Sequence, residues 1–170
     1  FKSLQLDGRM LLAGALFATD YDDYQDAAFV GAQFTVGNAE KVELRGAELD
    51  GQIALSSSLL GDFAISYADL QYARYTRGMC YPGRPPDSPD SPGSCVLDGE
   101  RPNNAPKLKV HAGLQYQKVI SVGALFIRGD WSWSSEYNTS FSADPRLMQD
   151  AYSWVNLQVG YRWKDFELIV

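Results

Sequence analysis

The 170-residue chain holds a single histidine, two cysteines and no uninterrupted apolar run of the roughly 18 residues that a membrane helix requires. A membrane-crossing form must therefore be a closed sheet in which every backbone group is paired between strands. Lys and Arg are outnumbered by Asp and Glu, 15 to 21, for a net charge of -6 and a pI near 4.7, and no basic stripe interrupts that excess. Nucleic acid is excluded as a partner, because a phosphate backbone is bound by a basic surface. With one histidine, His111, and no Ser, Cys or carboxylate near it in sequence at a triad spacing, catalysis has no constellation to work with. The chain reads as a non-enzyme, no cofactor is implied, and His111 reads as a wall residue.

What the chain does have is alternation. In Leu108–Tyr116 the even positions are apolar and the odd ones carry Lys109, His111, Gly113 and Gln115. Leu125, Ile127, Gly129, Trp131 and Trp133 alternate with Phe126, Arg128, Asp130, Ser132 and Ser134. Val155, Leu157, Val159, Tyr161 and Trp163 alternate with Trp154, Asn156, Gln158, Gly160 and Arg162. A period of two sustained over ten or so residues predicts strands with one apolar and one wet face. Globular strands average about five or six residues, whereas a tilted strand crossing a bilayer needs roughly 9–11. An arginine on the lipid face at mid-membrane costs about 2–4 kcal/mol, so Arg128, Asp130, Ser132 and Ser134 are expected to face a polar lumen. A soluble lipid-binding barrel would reverse that polarity. Gly129-Asp130-Trp131 does match the short glycine-x-tryptophan pattern of lipocalins, although it falls late in the chain rather than in the first strand.

The fold class predicted is all-β, a transmembrane antiparallel β-barrel segment of about eight strands. A partial strand from Phe1 to Gln5 turns at Leu6-Asp7-Gly8 into a strand from Arg9 to about Tyr24, where Phe17, Tyr21 and Tyr24 suit an aromatic girdle. After a polar tip near Gly31-Ala32-Gln33 the chain returns through Phe34–Val36 and Ala39–Ser56. Val42 and Leu44 share one parity and Ala47, Leu49, Ile53 and Leu55 the other, so a β-bulge is expected at Gly46. Asn38 reads as a turn residue and Glu48 as an inward carboxylate. A strand from Asp62 to about Thr76 then leads into the longest irregular stretch, Arg77–Pro106. That stretch carries most of the eight prolines and the tandem Asp87-Ser88-Pro89, Asp90-Ser91-Pro92. Such a composition buries too little apolar area to order itself. Cys80 and Cys95, inside it, can staple it as a disulfide, which implies an oxidising compartment; the alternative is two free thiols. Short turns alternate with long loops along the whole chain, as in outer-membrane barrels.

Several segments together resemble the C-terminal barrel region of TonB-dependent outer-membrane receptors. They are Gly8-Arg9 after a Leu-Asp turn, Phe17 and Tyr21 ending an upward strand, Tyr24-Gln25, Val36-Gly37-Asn38-Ala39 and Arg45-Gly46-Ala47-Glu48-Leu49. Asn104-Ala105-Pro106, Ser135-Glu136-Tyr137 and Gln149-Asp150-Ala151-Tyr152 extend the likeness along the chain. The resemblance implies a Gram-negative outer-membrane location, a barrel of about 22 strands around a plug, and active uptake of a scarce ligand such as a ferric siderophore. It also implies contact with outer-membrane lipid and a TonB-ExbB-ExbD motor acting through a plug region that residues 1–170 do not carry. Phe1-Lys2-Ser3-Leu4 without an initiator methionine, and Phe166, Leu168 and Val170 as a strand that stops as it begins, suggest an excerpt of a longer polypeptide. A self-contained small outer-membrane barrel with a structural or adhesive role is the alternative, and a small barrel enzyme or a wall subunit of a larger assembly are further ones. Ligand contact would come from the outer loops. The candidates are Tyr81, Arg84 and Arg101 in the cysteine loop and Phe141 and Arg146 in the next, since aromatics and arginines suit planar or anionic ligands. The acidic run Asp20, Asp22, Asp23, Asp26 reads either as a calcium rim or as a solvated edge, and it lacks the glycine and glutamate spacing of a dedicated calcium loop. Asn138-Thr139-Ser140 matches a glycosylation sequon, with no default meaning in bacteria.

Overall fold

In the computed structural model, residues 1–30, 33–90 and 92–170 are described, with side chains described outside 27–35. Gly31 and Ala32 of the expected polar tip, and Ser91 of the tandem repeat, lie outside the described residues. The elements in chain order are β1 (Lys2–Gln5), β2 (Met10–Val30), β3 (Gln33–Ala54), β4 (Leu59–Arg74), β5 (Gly78–Met79) and β6 (Ser94–Cys95). They continue with β7 (Leu108–Ile120), β8 (Gly123–Ser134), β9 (Tyr137–Asn138), β10 (Met148–Gln149), β11 (Tyr152–Trp163) and β12 (Phe166–Ile169). Eight of them form one antiparallel sheet in the order β1-β2-β3-β4-β7-β8-β11-β12. Each strand pairs with its neighbour in sequence along that order, so the sheet is a meander. The two-residue ribbons β5·β6 and β9·β10 stand apart from it.

Connection length sorts the two ends of the sheet. At one end the turns are tight: β1–β2 at Leu6–Arg9, where Leu6, Asp7 and Gly8 all take positive φ, then β3–β4, β7–β8 and β11–β12. At the other end the chain runs into the β2–β3 tip and the loops 75–107 and 135–151. At 21 and 22 residues, β2 and β3 are about twice the length a bilayer requires, so their hairpin projects well beyond one.

Strand register assigns the faces. Asp62, Gly113, Asp130 and Asn156 lie side by side across β4, β7, β8 and β11, and the residues of their parity form the polar face. On the opposite face are Leu16, Ile65, Leu114, Ile127, Val155 and Leu157; Leu16 is 88% exposed and Val155 71%. Apolar area displayed continuously over six strands is the mark of a surface made for a nonaqueous neighbour. Its aromatics gather in two bands, Tyr67 and Trp133 toward the long loops and Tyr116, Tyr161 and Trp163 toward the tight turns.

Several expectations require correction. β2 continues past Tyr24 to Val30, and Asn38 is not in a turn but within β3, opposite Gln25. Gly46 is not a bulge: it pairs in unbroken register with Phe17 on one side and Ala68 on the other, and the register shift falls between Lys41 and Val42. The change of apolar parity along β3 has another cause. Val42 faces the polar side because a small core sits there, formed by Ala39, Val42, Tyr72, Tyr75, Cys95 and Leu97 with Tyr24, Leu70, Cys80 and Ala143 around it. Glycine at 46 serves a close approach, since a Cβ there would collide with the Phe17 ring and the Tyr67 carbonyl. Phe17 and Tyr21 therefore lie on the polar face and do not belong to an outward girdle.

Candidate functional site

The apolar core of the polar face is covered by the cysteine loop, which adds backbone bonds to the upper end of β4. Leu97 N donates to Tyr75 O (2.8 Å), Gly99 N to Tyr72 O (2.8 Å), and Tyr72 N to Glu100 O (2.9 Å). Side chains reinforce the seam: the Tyr72 hydroxyl donates to Asp26 (2.5 Å), Tyr75 N to Asp98 Oδ1 (2.6 Å), and Thr76 to Glu40. Tyr72 and Tyr75 pack ring to ring at 4.8 Å. The Cys80–Cys95 disulfide, with Cα atoms 5.0 Å apart, closes the loop at β5·β6. The loop is thus folded down over the polar face despite its proline content.

The loop candidates separate into three groups. Tyr81, Arg84 and Arg146 come together, from two different loops. The Tyr81 ring lies 6.0 Å from the Arg84 guanidinium and 5.6 Å from that of Arg146. Arg84 donates to Asp87 Oδ2 (3.0 Å) and Val96 O (2.9 Å). Arg146 is held by Asp144 through two bonds of 2.9 and 2.7 Å and crosses to Pro82 O at 2.7 Å. Asp144 is 3% exposed, and the Arg146 guanidinium holds its carboxyl below the usual carboxylate range. Phe141 lines a neighbouring cavity of about 160 Å³ with Asp26, Tyr75, Arg77 and Met79. Arg101 is turned elsewhere, to Asp69 (2.5 Å) and the Ala68 and Ala105 carbonyls. The acidic run is divided: Asp20 pairs with Lys41 at 3.4 Å, whereas Asp26 accepts from Tyr72.

A second cluster lies lower on the polar face. Arg128 bridges Asp62 (2.8 and 3.2 Å) and Asp130 (2.6 and 3.1 Å). His111 reaches Asp62 through Nε2 (3.2 Å) and Ser132 through Nδ1 (3.0 Å). Gly113, between the two aspartates in register, leaves room for this network, because a Cβ there would collide with the Arg128 guanidinium. Ser132, His111 and Asp62 thus form a hydrogen-bonded chain that strand pairing creates and sequence spacing hides. It lacks the other half of a hydrolase: Ser132 lies on a central strand paired on both sides, so its N–H groups serve the ladder and form no oxyanion hole. Oxygen and nitrogen atoms of Asp62, His111 and Asp130 lie within 4.8 Å of one another, but the Arg128 cation already spans both carboxylates. The geometry is that of an ion-pair network. Glu48, on the same face, accepts from Ser66 Oγ at 3.3 Å.

Long antiparallel strands in a meander, an apolar face with two aromatic bands, a charged opposite face, and tight turns at one end against long loops at the other define the wall of an outer-membrane-type β-barrel. The sequence profile of the family described as TonB dependent receptor-like, beta-barrel, matches residues 1–168, and the chain belongs to that family. Among solved structures it is similar to the ferric yersiniabactin uptake receptor FyuA from Yersinia pestis, at 17% identity with a TM-score of 0.65. That match covers 94% of this chain and 21% of the receptor, and at this identity it shows the fold alone. No curated protein matches the chain in sequence.

Proposed function

We propose that this chain is one wall, with its covering loops, of an outer-membrane receptor for active uptake of a scarce ligand, a ferric siderophore or a chelate like it. In this reading the apolar face meets lipid and the polar face lines the lumen. Energy comes from the proton gradient through TonB-ExbB-ExbD acting on a plug outside residues 1–170. The observation that carries the reading is the meeting of Tyr81, Arg84 and Arg146 over a barrel wall of the receptor family. An aromatic ring flanked by two guanidiniums, anchored by carboxylates and a disulfide, is a preformed seat for a planar, anionic chelate. Arg146, with a side chain 62% exposed, keeps an edge open to such a ligand.

The test is ligand-induced fluorescence quenching of the intact receptor, titrated with iron chelates of the hydroxamate, catecholate and phenolate classes. Tyr81→Ala and Arg146→Ala are each expected to weaken the chelate that binds by about tenfold or more, as for a desolvated aromatic or arginine anchor. Equal affinity in both variants would remove the loop group from ligand binding.

A further inference from the structure

Each of the two cations beside Tyr81 is matched by a carboxylate. Asp87 Oδ2 accepts from Arg84 Nη2 (3.0 Å) and from Val96 N (2.6 Å), and Asp144 holds Arg146 through Nε and Nη2. The seat and its two anchors together carry no net charge. Asp87 is the first acid of the tandem Asp-Ser-Pro repeat, and its bond to Val96, next to Cys95, ties Arg84 to the far arm of the disulfide loop.

What the guanidiniums keep is donors. Arg84 uses only Nη2, toward Asp87 and Val96 O, and Arg146 uses Nε and Nη2, toward Asp144 and Pro82 O. Nη1 of both, and Nε of Arg84, have no protein acceptor among the described residues. No buried side-chain nitrogen or oxygen among those residues lacks a partner, so the unused Arg84 N–H groups reach solvent although only 24% of that side chain is exposed. They suit a chelate that offers acceptor oxygens beside a flat face for the Tyr81 ring.

The surroundings are acidic. Loops 75–107 and 135–151 hold seven carboxylates against five basic side chains, and residues 19–44 of the projecting hairpin add six against Lys41 alone. The rest of the chain holds eight carboxylates against nine basic side chains, so the net charge of -6 belongs wholly to the long-loop end. At physiological salt a charge acts over about 8 Å, so the field at Tyr81 is set by these loops and not by distant parts of a receptor.

We infer that the seat discriminates by charge: it takes an iron chelate with no more than one negative charge, and Asp87 sets that limit. The inference rests on the uptake reading above and narrows its ligand class. A triply charged tris-catecholate meets no net positive charge in the seat and a repulsive field around it. A singly charged phenolate chelate loses little to repulsion and keeps the ring and the N–H donors.

The intact receptor is to be titrated by fluorescence quenching with a charge series of ferric chelates: a neutral tris-hydroxamate, a singly charged bis-phenolate and a triply charged tris-catecholate. The tris-catecholate is expected to bind weakest. Asp87→Asn keeps an oxygen that accepts from Arg84 and Val96 N and removes one negative charge. A ligand's interaction with that charge scales with its own, so the variant is expected to tighten the tris-catecholate about tenfold, the bis-phenolate about twofold and the tris-hydroxamate not at all. Asp90→Asn, at the exposed matching position of the repeat, is expected to give a smaller shift in the same order. Equal changes for all three chelates in Asp87→Asn would reduce Asp87 to a structural role and overturn the inference, as would a tris-catecholate that binds tightest to the parent or weakens in that variant. A receptor that no chelate quenches would instead overturn the uptake reading, and the inference with it.

Discussion

Removing the Arg128 guanidinium tests the polar-face network most severely. Arg128→Met keeps the length of the side chain and deletes the cation that bridges Asp62 and Asp130, each of which has a carboxylate oxygen within 4.8 Å of one of the other's. Two unit charges at that distance repel by about 3.5 kcal/mol at an effective dielectric of about 20. The carboxylates are partly open, with side chains 25% and 15% exposed. Water will screen part of the repulsion, and a loss of about 1–3 kcal/mol in unfolding free energy is expected. The assay is urea unfolding of the intact receptor in micelles, followed by tryptophan fluorescence. Asp130→Asn added to Arg128→Met removes one of the opposed charges and is expected to recover about half of the loss. An Arg128→Met receptor that unfolds at the parental urea concentration would refute the network as a source of stability, and a double variant weaker than the single would refute the charge argument behind it.

Further predictions concern the loops and the faces. Alkylation of native, unreduced protein is expected to label neither Cys80 nor Cys95; ready labelling of both would defeat the disulfide. A cysteine at Gln158, on the polar face, is expected to react with small water-soluble reagents in membranes, while one at the neighbouring Leu157 stays unreactive, and the opposite pattern would invert the wall. Gly46→Val is expected to cut the yield of assembled barrel severely, because the Phe17 ring and Tyr67 carbonyl occupy the space for its side chain; normal assembly would show that the strands can part there. Asp144 has its pKa lowered by Arg146, so the ion pair that holds Arg146 toward Pro82 O is complete above the ordinary carboxylate pKa and lost as pH falls through the lowered value. Protease nicking near Pro82 is accordingly expected to rise only in strong acid, and at neutral pH in Asp144→Asn; nicking that ignores both changes would remove Asp144 from that role.

Most of the wall was legible because period-two alternation is a local property: Leu108–Tyr116, the run around Arg128 and the run around Val155 each reveal their faces without knowledge of a neighbour. The pattern misleads where a face serves two environments. Val42 is apolar against the loop core, and that apolar inward residue imitates a register slip at Gly46, while Asn38 imitates a turn inside a strand too long to be anticipated. Partnerships across strands were hidden for a different reason. Asp62, His111 and Ser132 come from β4, β7 and β8 and meet only through register, which no single segment encodes. In the loops the two cysteines were readable as a pair, but the bond of Arg146 to Pro82 O depends on how two loops fold over one core. Arg101 has the composition of a ligand contact and is occupied by Asp69 on the other side of the wall.

Energised uptake is the function proposed for the receptor to which this wall belongs. The most direct measurement is accumulation of radioactive iron, presented as hydroxamate, catecholate and phenolate chelates, by cells that carry the native receptor, with and without a protonophore. One chelate is expected to enter only when the receptor is present, and collapse of the proton gradient is expected to stop its entry. Uptake that persists without the gradient, or that is unchanged when the receptor gene is deleted, would contradict it.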